Sequence, residues 1–500
     1  MKIRLGYNFF DARDGKLTPI TWDSQRLING HVLIVGSSGV GKSHTIRKMI
    51  RRGLADAGKQ VRFHVFDVHG DLEIPGASEV QFSESAPYGL NPLRVNPDPH
   101  FGGVRKCIRN FLNTINQASS TALGVKQEAV ISNLLIDVYR EFEFDIEDPR
   151  TWGLNAAQVR LAGGGLDNRL YLEVPIQEKD EAKALGARWD PIKKLWWVHT
   201  EKYVGEITRW KPAYKPRTYP TVEDVLHYAQ RVYQERYLGT DQKAVLALIQ
   251  LNKRAQTYHR KVLQAAKMRT WTGKEFDVEE REMLEKARKD AVEAFKVYAQ
   301  SIQTGHELEN LLKYDSPDVL KSVVDRLHNL KRTGIFKDVA PPFDPAKPVW
   351  RYKLNAFSQE EKKLFVLFTL QNIFSRAIER GECPDVVEVV VLDELGTYTS
   401  SADNEDGDGI IGTICREARK FGLAFWGATQ SPASVPESLL SSTATKMLLG
   451  LDEMYWRSAV DRLRIETRQL EWIQAQVTAA VQMKEKGVLK NRWHWVQLEG

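Results

Sequence analysis

The chain has 500 residues, 42% of them hydrophobic, and a formal charge of only +6 from 71 Lys and Arg against 65 Asp and Glu. That length exceeds what one core usually supports, so two or three compact units or one large domain with insertions are expected, and the mildly basic charge permits a polyanionic partner without arguing for one. Cys107, Cys383 and Cys415 lack metal-ligand spacing, as expected of reduced thiols in a cytoplasmic protein, and no apolar run is long enough for a signal peptide or an integral membrane segment.

Residues 1–30 mix alternating apolar residues with turn formers, which predicts a short β-rich N-terminal segment. The apolar run Val32 to Val35 then leads straight into G-x-x-x-x-G-K-S, Gly36 to Ser43, and into an amphipathic helix carrying Ile46, Met49, Ile50 and Leu54. Strand, loop and helix in that order predict a phosphate-binding loop. Gly36, Gly39 and Gly41 are expected to take positive φ so that backbone N–H groups face phosphate oxygens, with Ser38 and His44 completing the binding set. Lys42 is expected on the β- and γ-phosphates of ATP and the Ser43 hydroxyl on a magnesium ion bridging them.

A second buried strand, Val61 to Phe66, ends in Asp67-Val-His-Gly-Asp71. Polar groups at a strand's carboxyl end face the ligand crevice of an open α/β sheet, so Asp67, His69 and Asp71 belong either to a nucleotide or metal shell or to a capped turn. Val104 to Phe142 reads as two scaffold helices, completing a first core part over 31–160. After Gly163-Gly-Gly165 comes a module at 165–220 in which tryptophans alternate with short strands and cations outnumber acids from Lys183 to Arg217. Interleaved aromatics and cations can stack bases and follow phosphates; equally, a very small domain needs tryptophan for its core, the expectation for Trp189 and one of Trp196 or Trp197. Residues 221–315 read as a helical insertion with a charged, solvated stretch at Glu279 to Asp290.

The core resumes over 316–500. The β-branched run Val386 to Leu392 ends in Asp393-Glu394, the composition of a strand buried on both faces with two acids at its carboxyl end. Asp393 is expected to hold magnesium through water, and Glu394 to orient or deprotonate the attacking water. A further strand, Leu423 to Ala428, places Gln430 where it can bond the γ-phosphate, or where it is merely a polar strand end. Arg416 to Gly422 sets three cations at a helix end, either offsetting its dipole or supplying an arginine to a neighbouring subunit's nucleotide. The last stretch, Gly487 to Glu499, alternates like a strand that closes the fold or crosses to a neighbour.

The phosphate loop, Asp67-x-His-Gly-Asp71, Leu392-Asp-Glu394, Glu417-Ala-Arg-Lys-Phe-Gly422 and Ala428-Thr-Gln430 together resemble the HerA/FtsK group of hexameric motor ATPases, HerA-like proteins and conjugative secretion motors above all. The resemblance implies an α/β P-loop NTPase core of the RecA-like, additional-strand type, interrupted by a small α+β insertion and a helical insertion. It implies a homohexameric ring, a DNA translocase of a mobile element or defence system that threads DNA, expected double-stranded, through a central pore. It also assigns Arg419 as the arginine acting in trans and Gln430 as the γ-phosphate sensor. Alternatives are a secretion or conjugation motor moving protein or nucleoprotein, and a nucleotide-gated scaffold for a partner nuclease. Leu172 to Val198 is similar to a small uncharacterised domain of plasmid and phage DNA-processing proteins.

Overall fold

A computed structural model describes residues 1–119, 121–154, 159–161, 169–191, 194–233, 241–267, 276–301, 313–399 and 409–499. The Gly163–Gly165 linker lies outside the described residues. Two compact units emerge: residues 1–122, 139–222 and 330–500 form one, and residues 123–138 and 223–329 form the other.

The first unit is built on an eleven-stranded sheet. In chain order its strands are β1 (Lys2–Asn8), β2 (Pro19–Asp23), β3 (Val32–Val35), β4 (Arg62–Asp67), β5 (Ser78–Gln81), β6 (Val349–Lys353), β7 (Cys383–Leu392), β8 (Phe421–Thr429), β9 (Thr445–Leu448), β10 (Thr478–Met483) and β11 (Trp493–Gln497). Their spatial order is β2-β1-β11-β10-β9-β3-β8-β7-β4-β6-β5. The block from β9 to β5 is parallel, and β10, β11, β1 and β2 extend it antiparallel. Every residue of β3 and β8 is buried, as parallel strands covered by helices on both faces require. Strand β8 lies between β3 and β7, so one strand separates the phosphate-loop strand from the strand ending in the acid pair; this is the additional-strand arrangement.

The opening segment is woven into this sheet and is not a separate entry. Ile3, Leu5 and Trp22 join Val32, Ile34, Ile50 and Trp426 in one cluster. Trp22 is fully buried, meets Trp426 edge-on at 5.9 Å and donates its indole N–H to Thr445 Oγ1 at 3.1 Å. That single side chain ties β2 to β8 and β9, and its truncation to Ala costs about 3–5 kcal/mol. The closing strand β11 pairs with β10 and β1 of its own chain.

The second unit is helical. Asp241–Lys267 and Phe276–Ser301 pack together as a hairpin, and Lys261 of one pairs with Glu280 of the other. The charged stretch is mostly solvated, while Ala291 and Tyr298 supply buried contacts. Asp137 is buried and compensated by Lys313 and the hydroxyls of Tyr314 and Tyr228.

The small module folds as a three-stranded antiparallel sheet, Arg169–Leu172, Leu195–His199 and Arg188–Asp190 in spatial order 1-2-3, with the short helix Lys179–Ala184. Trp197 and Trp210 are buried and Trp196 is half-buried, but Trp189 is 49% exposed. The expectation that Trp189 is core is therefore corrected. Strand alternation puts it on the core-facing side, yet at the sheet's edge, beyond the reach of the short helix that covers the centre.

Candidate nucleotide site

Parallel pairing brings four strand ends to one edge of the sheet. Val35 lies opposite Thr429, Leu392 opposite Gly427 and Phe66, and the residues that follow form a single crevice. The phosphate loop is pinned at its base: Gly36 N–H donates to Thr429 O at 3.1 Å and Ser37 N–H to Gly450 O at 2.9 Å. Ser37 Oγ accepts from Asp452 N–H at 2.9 Å, and Gln476 Nε2 reaches Gly39 O at 3.0 Å.

Gly39 and Gly41 have φ of 79° and 96°, in the left-handed region that favours glycine. Gly36 does not share that conformation, contrary to the sequence expectation. It is glycine for space, because a Cβ there would lie 2.6 Å from Val40 Cγ2 and 3.2 Å from Gly450 O. Gly41 is the N-cap of helix α1 (Lys42–Ala57) and supplies no side-chain cap. The first-turn N–H groups of a 16-residue helix thus face the crevice, with the positive end of its dipole.

Lys42 Nζ donates to Gly36 O at 2.9 Å and Ser37 O at 3.0 Å, folding over the loop's interior. Burial lowers its pKa, against the pull of Glu394 and Asp393. Asp393 is 5% exposed, and its Oδ1 is buried with no hydrogen-bond partner among the described residues. Burial, with Asp71 beside it, pushes its pKa up to about 6, although His69 and Lys42 act in the opposite direction. An orphaned carboxylate oxygen near the Ser43 hydroxyl's loop is the donor set a magnesium ion fits. Glu394 Oε2 accepts from Gln430 Nε2 at 3.2 Å. Ser38 and His44 are exposed on the loop and at the start of α1. His44 lines a cavity of about 300 Å³ that runs along α1 to Lys48 and Arg52, both of which engage Glu499.

The Asp67-x-His-Gly-Asp71 turn divides by role. Asp67 is fully buried, accepts from Gly70 N–H at 2.7 Å and Leu72 N–H at 3.3 Å, and forms an ion pair with buried Arg351 at 2.6 Å. It holds the turn, its carboxylate engaged within the fold. Asp71, by contrast, lies 3.4 Å from Ser43 Oγ. Asp71 and Gln476 are the members of this site that sequence reading did not commit to. Position at a strand end pointed to the first, whereas the second sits at φ 65° in a loop nothing local identifies.

Arg419 is not brought to this crevice. It lies in the turn Ala418–Lys420 that precedes β8, whereas Gln430 follows β8. Nine extended residues separate those ends by about 30 Å. Arg419 is instead near His31, at the start of β3, where its charge adds to the burial that holds His31 at a pKa of about 4.

Comparison with known proteins bears on the fold. Residues 4–102 match the family described as helicase HerA, central domain, and residues 169–212 match DUF5710, a domain of unknown function. The solved structure of VirB4 from Thermoanaerobacter pseudethanolicus superposes with a TM-score of 0.54 at 14% identity, over 100% of this chain and 96% of that one. The plasmid coupling protein TrwB with a GTP analogue gives 0.45 at 12% identity over 100% and 94%. DNA primase TraC of Escherichia coli is 36% identical over 118 residues, 21% of this chain. The chain spans only 11% of that relative's length. Among the described residues no helix is long and apolar enough to cross a membrane.

Proposed function

We propose that this chain, whose core is a HerA-like P-loop ATPase with the fold of VirB4, is a ring-forming motor that hydrolyses ATP to move DNA for a mobile element or defence system. The observation that carries the reading is the split of its catalytic parts: loop, acid pair and glutamine lie at one edge of the sheet, and the arginine at the other.

In the proposed chemistry the α1 amides and Lys42 hold the β- and γ-phosphates, which draws the lysine away from the Gly36 and Ser37 carbonyls it now satisfies. Asp393 and Ser43 are the side chains that would hold magnesium, which would supply charge neutralisation to the phosphates. Glu394 orients the attacking water and accepts its proton. Gln430, bonded to Glu394 before nucleotide binds, exchanges that bond for one to the γ-phosphate. Arg419 serves the neighbouring subunit, where it neutralises charge on the transferred phosphoryl group, an effect of roughly 10³–10⁵ in rate in related phosphoryl-transfer enzymes. The proposed homohexamer, with DNA in its central pore, is supported by the HerA likeness of residues 4–102. The resemblance to conjugative secretion motors supports a second reading, in which the same motor moves protein or nucleoprotein.

Turnover measured with and without double-stranded DNA separates the two. The first reading expects stimulation that falls steeply with salt, as phosphate contacts require. Turnover in a verified hexamer that DNA leaves unchanged at low salt contradicts it.

A further inference from the structure

The small module at 169–212 has features its own folding does not use. Its buried clusters are Leu172, Ala182, Ala187, Val198, Ile207 and Trp210 on one face and Tyr171, Trp197 and Ala213 on the other. Trp189 stands outside both clusters on the edge strand Arg188–Asp190, which pairs only with Leu195–His199. Its ring centroid lies 5.6 Å from that of half-buried Trp196, at 60°, so one indole props the other in place while a face stays open to solvent. Leaving the largest side chain half in water is unfavourable by the hydrophobic effect.

The opposite face of the same sheet holds the second small cluster of Tyr171, Trp197 and Ala213, with cations laid over it. Trp197 lies beneath the guanidinium of Arg169 at 4.5 Å and that of Arg188 at 5.7 Å, with the His199 ring edge-on at 5.1 Å. Guanidinium groups held against an aromatic ring keep their N–H edges outward in a fixed plane, the geometry that suits phosphate oxygens. Lys194 is exposed at the hairpin turn, in a left-handed conformation with φ 52°. Nearby acids are engaged within the domain: Asp190 accepts from the Tyr171 hydroxyl at 2.5 Å, Glu178 from the Trp210 indole at 2.6 Å, and Glu181 pairs with Arg209.

From this arrangement we infer that the paired strands Arg188–Asp190 and Leu195–His199 bind single-stranded nucleic acid, one base stacking on Trp189 while Arg188 and Lys194 contact the flanking phosphates. A duplex keeps its bases stacked inside and cannot offer one to an indole, whereas a flexible strand can pass round the edge of a thin sheet. The site is separate from the nucleotide crevice and stands or falls independently of the ATPase reading.

The test uses the full-length protein without nucleotide and a labelled twelve-base oligo-dT or oligo-U, each also prepared with a single 5-iodouracil for photo-crosslinking and peptide mapping. The expected result is an adduct at Trp189 or Trp196. Trp189→Ala should weaken binding by about tenfold, Trp189→Phe should restore most of it, and Arg188→Ala should flatten the salt dependence. Duplex DNA of the same length should not compete at Trp189, and ATP turnover without nucleic acid should be unchanged in all three variants. Preference between the two oligomers identifies DNA or RNA as the strand. The absence of single-strand binding, adducts only outside residues 188–199, or unaltered affinity in Trp189→Ala would each overturn the assignment.

Discussion

His31 immediately precedes β3 and accepts a hydrogen bond at Nδ1 from Phe425 N–H at 3.0 Å, fixing the base of the phosphate-loop strand against β8. Burial holds its pKa down to about 4, with Arg419 adding to the effect and a backbone bond to Cys415 opposing it. Below the unfolded value of about 6.5 the unfolded chain takes up a proton that the folded chain refuses, so stability is lost as pH falls from 6.5 towards 4. The loss is on the order of 3 kcal/mol, and His31→Gln should flatten that part of the profile in urea titrations compared with the parent. Asp393 runs the other way. Its folded pKa of about 6 lies above the usual carboxylate value, so its cost appears as pH rises from about 4 to 6 and persists above. In metal-free protein at pH 7.5, Asp393→Asn should raise stability by about 2 kcal/mol while abolishing magnesium-dependent turnover. An unchanged melting temperature would show that Asp393 is not strained as described. Residue identity made Lys42, Ser43, Asp393, Glu394 and Gln430 legible in the sequence, because phosphate chemistry admits few side chains at those spacings. The burial of Asp67 behind Arg351 was not legible, since its partner lies nearly 300 residues away and only the β4–β6 pairing joins them.

At the level of elements, the phosphate loop shows two different reasons for glycine. Gly39→Ala meets open space but must hold φ at 79°, costing about 1–2 kcal/mol. Gly36→Ala keeps an ordinary φ but drives a methyl into Val40 and the Gly450 carbonyl, displacing the loop from β9. Nucleotide titrations should therefore show modest weakening for Gly39→Ala and near loss for Gly36→Ala; equal effects would contradict the distinction. Periodicity and composition made the parallel strands readable, because β3, β7 and β8 are nearly continuous apolar runs. The joining of β1 and β2 to the sheet was not readable. Short alternating strands carry no record of which distant edge they pair with, and here that edge is β11, almost 500 residues on. Trp189 was misread for a related reason: composition shows how many tryptophans a small domain owns, but coverage by the Lys179–Ala184 helix decides which of them are buried.

Over the whole molecule, one strand organises the proposed motor. Strand β8, fully buried, is followed by Gln430 at the nucleotide edge and preceded by Arg419 at the other, and in the proposed motor it links the γ-phosphate to the surface offered to the next subunit. On the proposed function the ring is a requirement of the chemistry, because a lone subunit would hold the nucleotide without the arginine. The most direct test mixes two defective proteins. Lys42→Ala lacks the phosphate grip and Arg419→Ala lacks the arginine; each alone should be nearly inactive, the second while still binding ATP. Co-assembled in one ring, they should recover turnover at every interface where an intact Lys42 faces an intact Arg419. Normal turnover by Arg419→Ala alone, or a verified mixed ring that stays inactive, would contradict the shared site on which the account rests.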